Sequence, residues 1–200
     1  MANTNAAFGL RPIGYRGVAP NFETVPMKCV YNATAIYKGD PVIFASSGYI
    51  TVGAAGTAVS QWAGIFWGCE YLSVSQGKVV KNAYWPGSDV ASSQDVTCFI
   101  LPFQLSTPSY YLIQTDATGI ARAGLNMNYD IAYAAGSTYS GQSKVYLDVS
   151  TVAATATLPL RAVDMYGSAG NMGQNVGPGT EAGAYNYAIV AANVMQTTGI

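Results

Sequence analysis

Apolar and polar positions along this chain change in short runs, and almost no stretch follows the 3.6-residue period of a helix. Apolar runs of a few residues lie between clusters of Gly, Ser, Asn and Asp, and Gly, Pro and β-branched residues recur throughout. This pattern is typical of strands joined by tight turns. The sequence therefore predicts an all-β fold, a small β-barrel or β-sandwich with an extended N-terminal arm and long loops.

The sharpest strand signals lie in the first half of the chain. "AIYKGDPVIFASSGYITVG" contains a turn at residues 39–41, a strand, a hairpin tip at residues 46–48 and a return strand. "WAGIFWGCEYLSV" is a strand that contains Gly64 and Gly68, and glycines inside a strand indicate β-bulges or the close approach of another backbone. Pro26 lies inside an earlier strand and predicts that this strand is at the edge of its sheet.

The second half contains further strand signals, in "QDVTCFILPF", "SYYLIQTDATG", "SKVYLDVST", "ATLPLRAVDMY" and "YNYAIVAANVMQ". Residues 120–140 carry no clear alternation and are predicted to be irregular. Residues 167–184 form a long Gly-rich loop, and a loop of this length inside a compact domain is usually functional or mobile.

Residues 1–20 are predicted to be the extended N-terminal arm, and residues 21–200 the β-rich domain, with a soft division near residue 86. The arm is rich in Asn, Ala and Gly and has no alternating apolar pattern. We therefore expect the core not to need residues 1–17, and we expect this segment to be mobile in the free protein.

Charge is scarce: nine basic and ten acidic side chains make up 10% of the 200 residues, against about 25% in typical proteins. Ser, Thr, Asn, Gln and the fifteen tyrosines are expected to fill the remaining surface, and a Tyr-rich, charge-poor surface is typical of interface cores. This favours an obligate assembly over a neutral, soluble monomer. The net charge of −1, without a basic cluster, argues against nucleic-acid binding. No apolar run is long enough for a membrane helix, so no membrane association is predicted.

The residues that usually carry catalysis are few. The chain has no histidine, which removes the commonest general base and metal ligand. Its ten carboxylates are scattered singly at turns and strand ends. "SQGK", residues 75–78, matches the S-x-x-K pattern of acyl transfer, but it lies on a predicted hairpin tip and lacks the partner motifs. Three cysteines without metal or redox spacing indicate free, buried thiols made in a reducing compartment. We predict no enzyme activity, no cofactor and no metal.

Six stretches occur in a suggestive order: "MANTNAAFGLRPIGYRG", "YKGDPVIF", "GYITVGAAG", "AGIFWGCEYL", "YWPGSD" and "TLPLRAVDMY". In this order and spacing they resemble a family of head decoration, or cement, proteins of tailed bacteriophages. The similarity extends over nearly the whole chain and rests on the ordered series rather than on one motif.

The resemblance implies a viral structural protein that binds the outside of the assembled capsid between capsomers and stabilises the head lattice. It implies the major capsid protein as partner, self-association as a homotrimer or alternatively a dimer, and a position on the capsid surface of the virion after synthesis in the host cytoplasm. Two other interpretations stay open. One is a tail, adaptor or other minor virion component, and the other is a carbohydrate-binding β protein.

Partner contacts are predicted in two segments. The arm supplies an apolar anchor and two arginines, which suit bidentate pairing with carboxylates. The Gly-rich loop is expected to order against a neighbouring subunit, the alternative being a disordered surface loop. The predicted contact residues are Phe8, Arg11, Pro12, Arg16, Gly170, Gly173 and Gly177.

Overall fold

The computed structural model describes residues 3–57, 61–103, 109–166 and 183–193. Within these residues, twelve strands form two antiparallel six-stranded sheets, and a 3-10 turn lies at Arg122–Gly124. The all-β prediction is confirmed. Neither sheet closes into a barrel, so the fold is a β-sandwich.

The strands are β1 (Arg11–Ile13), β2 (Val25–Cys29), β3 (Pro41–Phe44), β4 (Ile50–Val52), β5 (Trp62–Ser73), β6 (Lys78–Asn82), β7 (Val96–Pro102), β8 (Tyr110–Gln114), β9 (Asn128–Ala132), β10 (Tyr146–Ala153), β11 (Leu160–Met165) and β12 (Tyr187–Ala192).

Strands β2 to β7 form the second sheet and strands β8 to β12 the first, and β1 is the one strand that joins a sheet out of this sequence. The first sheet has the order β1-β8-β12-β11-β9-β10, and the second has the order β2-β7-β5-β3-β4, with β6 also paired to β5. β2 is an edge strand, as Pro26 predicts. The sheets separate after β7, so the soft division near residue 86 falls between β6 and β7, inside the second sheet. β1, from the start of the chain, joins the strands of the second half.

Glycine lets the neighbouring strands β5 and β7 approach closely. At Gly64 in β5, an added Cβ would overlap the carbonyl oxygen of Leu101 in β7 and would lie 2.8 Å from Cγ2 of Ile100. No other residue type fits this position without moving β7. This confirms the close backbone approach predicted from a glycine inside a strand.

β5 also contains a β-bulge. Phe66 and Gly68 lie opposite neighbouring residues of β7, so Trp67 is an extra residue on β5. A bulge resets the alternation of side chains along a strand. As a result, Phe66 and Cys69 are three residues apart yet belong to the same core, while Trp67 packs partly against the other core.

Two hydrophobic cores lie on the two faces of the second sheet. The first core joins the sheets: it contains Ile65 and Leu101 from the second sheet and Ile113 and Leu147 from the first. The second core lies on the opposite face and contains the fully buried Trp85. The three cysteines, Cys29, Cys69 and Cys98, belong to the second core and are free and buried, as predicted.

Residues 120–140 contain a strand that the pattern does not reveal. β9 is buried and pairs with both β10 and β11. Asn128 and Asp130 in this strand are residue types that strands usually lack, so the prediction of an irregular segment is wrong for 128–132. Asp130 is accommodated because its Oδ2 accepts a hydrogen bond from the Gly56 backbone N–H at 2.6 Å.

The N-terminal segment is part of the sandwich. Leu10 is fully buried in the first core, and β1 pairs with β8. The backbone N–H of Gly9 donates to the Val145 carbonyl at 3.1 Å. The prediction that the core does not need residues 1–17 is therefore wrong for residues 9–13. The sequence shows no alternating pattern here, because a single buried leucine and a strand of three residues span too few positions to produce one.

Arg16 lies at the tip of a tight hairpin turn. Tyr15 and Val18 exchange both backbone hydrogen bonds, each 3.0 Å long. The two residues between them, Arg16 and Gly17, have φ angles of 49° and 80°, and two positive φ angles are the mark of a type I′ turn. The turn directs the Arg16 side chain outward, where its Cζ lies 5.1 Å from the ring centroid of Tyr15.

Candidate functional site

A surface cleft of about 240 Å³ lies where the N-terminal segment meets the second sheet. We call it the arm cleft. Its lining combines apolar side chains, two cations and one amide, and it draws on four separate parts of the chain. The lining residues are Phe8, Leu10, Arg11, Pro12, Lys38, Gly39, Trp67 and Gln142.

The floor of the arm cleft is held by a backbone junction at Gly39. The Gly39 carbonyl accepts from the Leu10 N–H at 2.9 Å, and the Gly39 N–H donates to the Phe66 carbonyl at 2.9 Å. The neighbouring Lys38 N–H donates to the Gly141 carbonyl at 2.9 Å. Gly39 has a φ of +97°, and an added Cβ would lie 2.8 Å from the Phe8 carbonyl oxygen. The turn predicted here is therefore also the anchor of the N-terminal segment.

Two cations occupy the arm cleft, each over an aromatic ring. The Arg11 guanidinium carbon lies 4.1 Å from the ring centroid of Phe8, and Lys38 Nζ lies 4.0 Å from that of Trp67. Both distances are typical of cation–π interactions. Within the described part of the chain, no carboxylate oxygen lies within 4.0 Å of either cation. Lys38 is half-buried and Arg11 is exposed.

The rings under these cations are fixed by other aromatic residues. Phe8 stacks on Tyr187 of β12, with ring centroids 5.9 Å apart. Trp67, the extra residue of the β5 bulge, has the Phe22 ring at a centroid distance of 5.8 Å. Phe22 itself is 54% exposed. The cleft thus presents ordered, partly exposed aromatic faces next to fixed positive charge.

Asp40 lies next to the cleft floor and is fully buried. Its Oδ2 accepts from the Tyr37 N–H at 2.8 Å, while no hydrogen-bond partner lies near Oδ1. Burial raises the pKa of Asp40 from 3.8 to about 6, against the lowering effect of the nearby Ser143 side chain and of the hydrogen bond from the Tyr37 N–H. Asp40 thus shapes the 37–40 turn, and it carries a charge that its surroundings solvate poorly.

Three other carboxylates, those of Asp116, Asp130 and Asp148, accept hydrogen bonds from the backbone. Asp116 accepts from three N–H groups, those of Thr118, Gly119 and Val149. Asp130 and Asp148 lie directly opposite each other on β9 and β10. They are the cross-strand pair that could suggest acid–base chemistry, but both oxygens of Asp130 accept from N–H groups and Asp148 Oδ1 accepts from a nearby serine. Their observed role is to order loops.

The S-x-x-K stretch forms the turn between β5 and β6, as predicted. Its serine, Ser75, donates its backbone N–H to Asp89 Oδ1 at 2.8 Å. Asp89 also accepts from the Ser73 hydroxyl at 2.5 Å, and these hydrogen bonds lower the pKa of Asp89. The hydroxyls and the carboxylate around this turn therefore stabilise a hairpin tip.

The structure brings three of the predicted contact residues together: Phe8, Arg11 and Pro12 all line the arm cleft. Arg16 lies apart from them at the turn tip beside Tyr15, whose hydroxyl donates to Asp164 Oδ2 at 2.7 Å. Three predicted residues lie outside the described part of the chain: Gly170, Gly173 and Gly177.

Sequence reasoning missed Lys38, Trp67 and Gln142 as cleft residues. Trp67 lies in a strand whose aromatic residues are typical of core or interface. It reaches the cleft because it is the extra residue of the β5 bulge. Lys38 and Gln142 meet through an isolated parallel bridge between distant segments. The one local signal for Lys38 is its position before Gly39, because a glycine at a turn permits a close approach of another chain segment.

Searches for known features or relatives give little further guidance. In residues 3–57, 61–103, 109–166 and 183–193, no group of three or more acidic or cysteine side chains could hold a metal ion. The same residues contain no helix with the length and apolar character needed to span a membrane. Comparison with protein-family models, curated proteins and solved structures found no match.

Proposed function

We propose that this chain is a structural protein of a tailed-bacteriophage head. It binds the outside of the assembled capsid between capsomers and stabilises the lattice. The observation that carries the proposal is the surface. The chain has nineteen charged side chains for 9984 Å² of surface, so that even with all of them exposed there would be only about one per 500 Å², where a typical charge fraction gives about one per 200 Å². Such a surface suits a protein whose working state is covered by other subunits.

Exposed apolar side chains support the same proposal. Phe22, Leu72, Val74 and Val79 are 54%, 40%, 63% and 60% exposed. Leu72 and Val79 are cross-strand partners on the β5–β6 hairpin, and Val74 follows at its tip. Clustered apolar exposure is a mark of interaction surfaces.

The mechanism that we propose is passive. Each copy makes several weak contacts with neighbouring capsomers, and symmetry repeats them over the shell, so that their sum stabilises the head against the pressure of packaged DNA. The major capsid protein is the partner, and the self-associated form is a homotrimer or a dimer. The arm cleft, which holds Phe8, Arg11 and Pro12, supplies one of the contacts.

The test is binding of the purified protein to heads assembled without it, followed by imaging of the particles. We expect many copies spread over the shell at symmetry-equivalent positions, together with a higher temperature of head disruption. A single ring of copies at one vertex would favour a tail or adaptor component instead. Failure to bind heads, combined with retention on a glycan array through the aromatic faces of Trp67 and Phe22, would favour a carbohydrate-binding protein.

A further inference from the structure

We propose that the arm cleft binds a short peptide segment that carries a carboxylate side chain next to an apolar one. The inference deepens the proposed function and rests on it for the identity of the partner, because the segment would belong to the capsid surface. The preference for a carboxylate follows from the cleft alone.

The first argument is charge. Arg11 and Lys38 line the same cleft, and no carboxylate of the described chain lies within 4.0 Å of either of them. Lys38 is half-buried against the Trp67 ring, so its ammonium group has lost part of its hydration. A carboxylate of a partner would accept a charge-assisted hydrogen bond from Lys38 and could pair with Arg11 in bidentate geometry.

The second argument is size and shape. A volume of about 240 Å³ equals roughly eight waters at about 30 Å³ each, which is room for one or two side chains. The walls supplied by Phe8, Pro12 and Trp67 are apolar and suit an apolar neighbour of the acidic residue. Gln142 adds an amide that can both donate to and accept from a peptide backbone.

The third argument is the scarcity of other cations. The chain has nine basic residues and a net charge of −1, and the cleft has two. A polyphosphate backbone is bound by a continuous track of Lys and Arg, which the sequence lacks. Two cations between aromatic walls fit one or two carboxylates of a peptide better than a nucleic acid.

The experiment titrates two small probes into the full-length protein and follows the indole N–H signal of Trp67 by NMR. The signal is assigned with the Trp67→Phe variant. The probes are acetyl-Glu-Phe-amide and acetyl-Gln-Phe-amide, which differ only in the charged group. We expect a saturable shift with the Glu probe and at least about tenfold weaker binding of the Gln probe, because the neutral amide cannot form the charge-assisted hydrogen bonds to Lys38 and Arg11.

Variants connect the probe to the cations. Arg11→Gln and Lys38→Gln should each weaken binding of the Glu probe by on the order of tenfold. Lys78→Gln, the same charge change on the distant hairpin, should leave it unchanged. A thermal unfolding measurement first shows that each variant has the same melting temperature as the unchanged protein. Equal binding of the two probes, no effect of either variant, or a larger saturable shift with inorganic phosphate or glucuronate would overturn the proposal.

The same variants separate this inference from the proposed function. If the protein binds heads and Arg11→Gln and Lys38→Gln bind them equally well, the carboxylate preference of the cleft is wrong and the capsid role stands. If the protein does not bind heads but distinguishes the two probes, the cleft assignment stands and the capsid role is wrong.

Discussion

Among single residues, Asp40 is the most deeply buried carboxylate of the described chain, and one of its two oxygens has no hydrogen-bond partner. It is fully buried, and the oxygen without a partner is Oδ1. A buried carboxylate without full compensation favours its protonated form, and burial accordingly raises the pKa of Asp40 to about 6. Asp40 therefore titrates in the folded protein at a pH where an unfolded aspartate is already ionised.

The raised pKa of Asp40 predicts a pH-dependent contribution to stability. Between its unfolded pKa of 3.8 and about 6, the folded state binds the extra proton, so this contribution to the free energy of unfolding falls as pH rises. Between pH 4.5 and pH 7.5 the loss should be about 2 kcal/mol. Urea unfolding of the unchanged protein and of Asp40→Asn at both pH values measures it. The variant should lose about 2 kcal/mol less over this range, and equal losses in both proteins would contradict the assignment.

The cleft residues show which positions of the candidate site can be predicted from the sequence and which cannot. The sequence predicts Phe8, Arg11 and Pro12 as partner contacts because a lone Phe, a Pro and a scarce Arg stand out in a polar segment, and the structure places all three in one cleft. Lys38 and Trp67 could not be predicted, since their positions depend on a bridge to a distant segment and on a bulge in β5. Both are tertiary features without a local signature.

At the scale of elements, β1 is the strand whose role differs most from expectation. It contributes three residues to the first sheet, and the residue before it, Leu10, fills the first core. Hydrophobic periodicity identified the longer strands, because these alternate over several residues. It did not identify β1, which is too short, or β9, whose Asn and Asp side chains are satisfied by partners outside the strand.

The burial of Leu10 predicts that the N-terminal segment stabilises the fold. Leu10→Ala should lower the free energy of unfolding by about 2–5 kcal/mol, the usual cost of a cavity of this kind. Leu72→Ala is the matched control, because Leu72 is 40% exposed and its truncation should cost about 1 kcal/mol or less. Thermal and urea unfolding measure both. Equal, small effects of the two changes would show that residues 9–13 are dispensable, as the sequence pattern alone suggests.

At the scale of the whole molecule, the surface is the feature that needs explanation. The sequence predicted it correctly in outline, because the count of charged residues is independent of the fold. What the sequence could not show is where apolar side chains remain exposed. The structure places several of them on the β5–β6 hairpin, beside the single Lys81–Glu70 ion pair of the described residues.

We expect the free protein to self-associate, as a trimer or alternatively a dimer. Light scattering at micromolar concentration should give a mass of three or two times the 20.9 kDa of the chain. Val79→Lys places a charge on the exposed face of β6 and should shift the protein towards the monomer if the hairpin is the contact. Val152→Lys, at a residue that is 44% exposed in β10, is the control. A strict monomer, both free and on particles, would contradict the prediction.

The pairing of β1 with β8 has a consequence for how the protein is made. β1 precedes the other described strands in the chain and is synthesised before them, yet it joins the first sheet next to β8, which pairs in turn with β12, the last of the described strands. Such pairings between distant segments form slowly, because the chain loses the entropy of closing a long loop before the new contacts stabilise it. The second sheet, built from consecutive strands, can form while synthesis continues. The arm cleft needs both the second sheet and the N-terminal segment, so it is complete only after β1 has paired with β8.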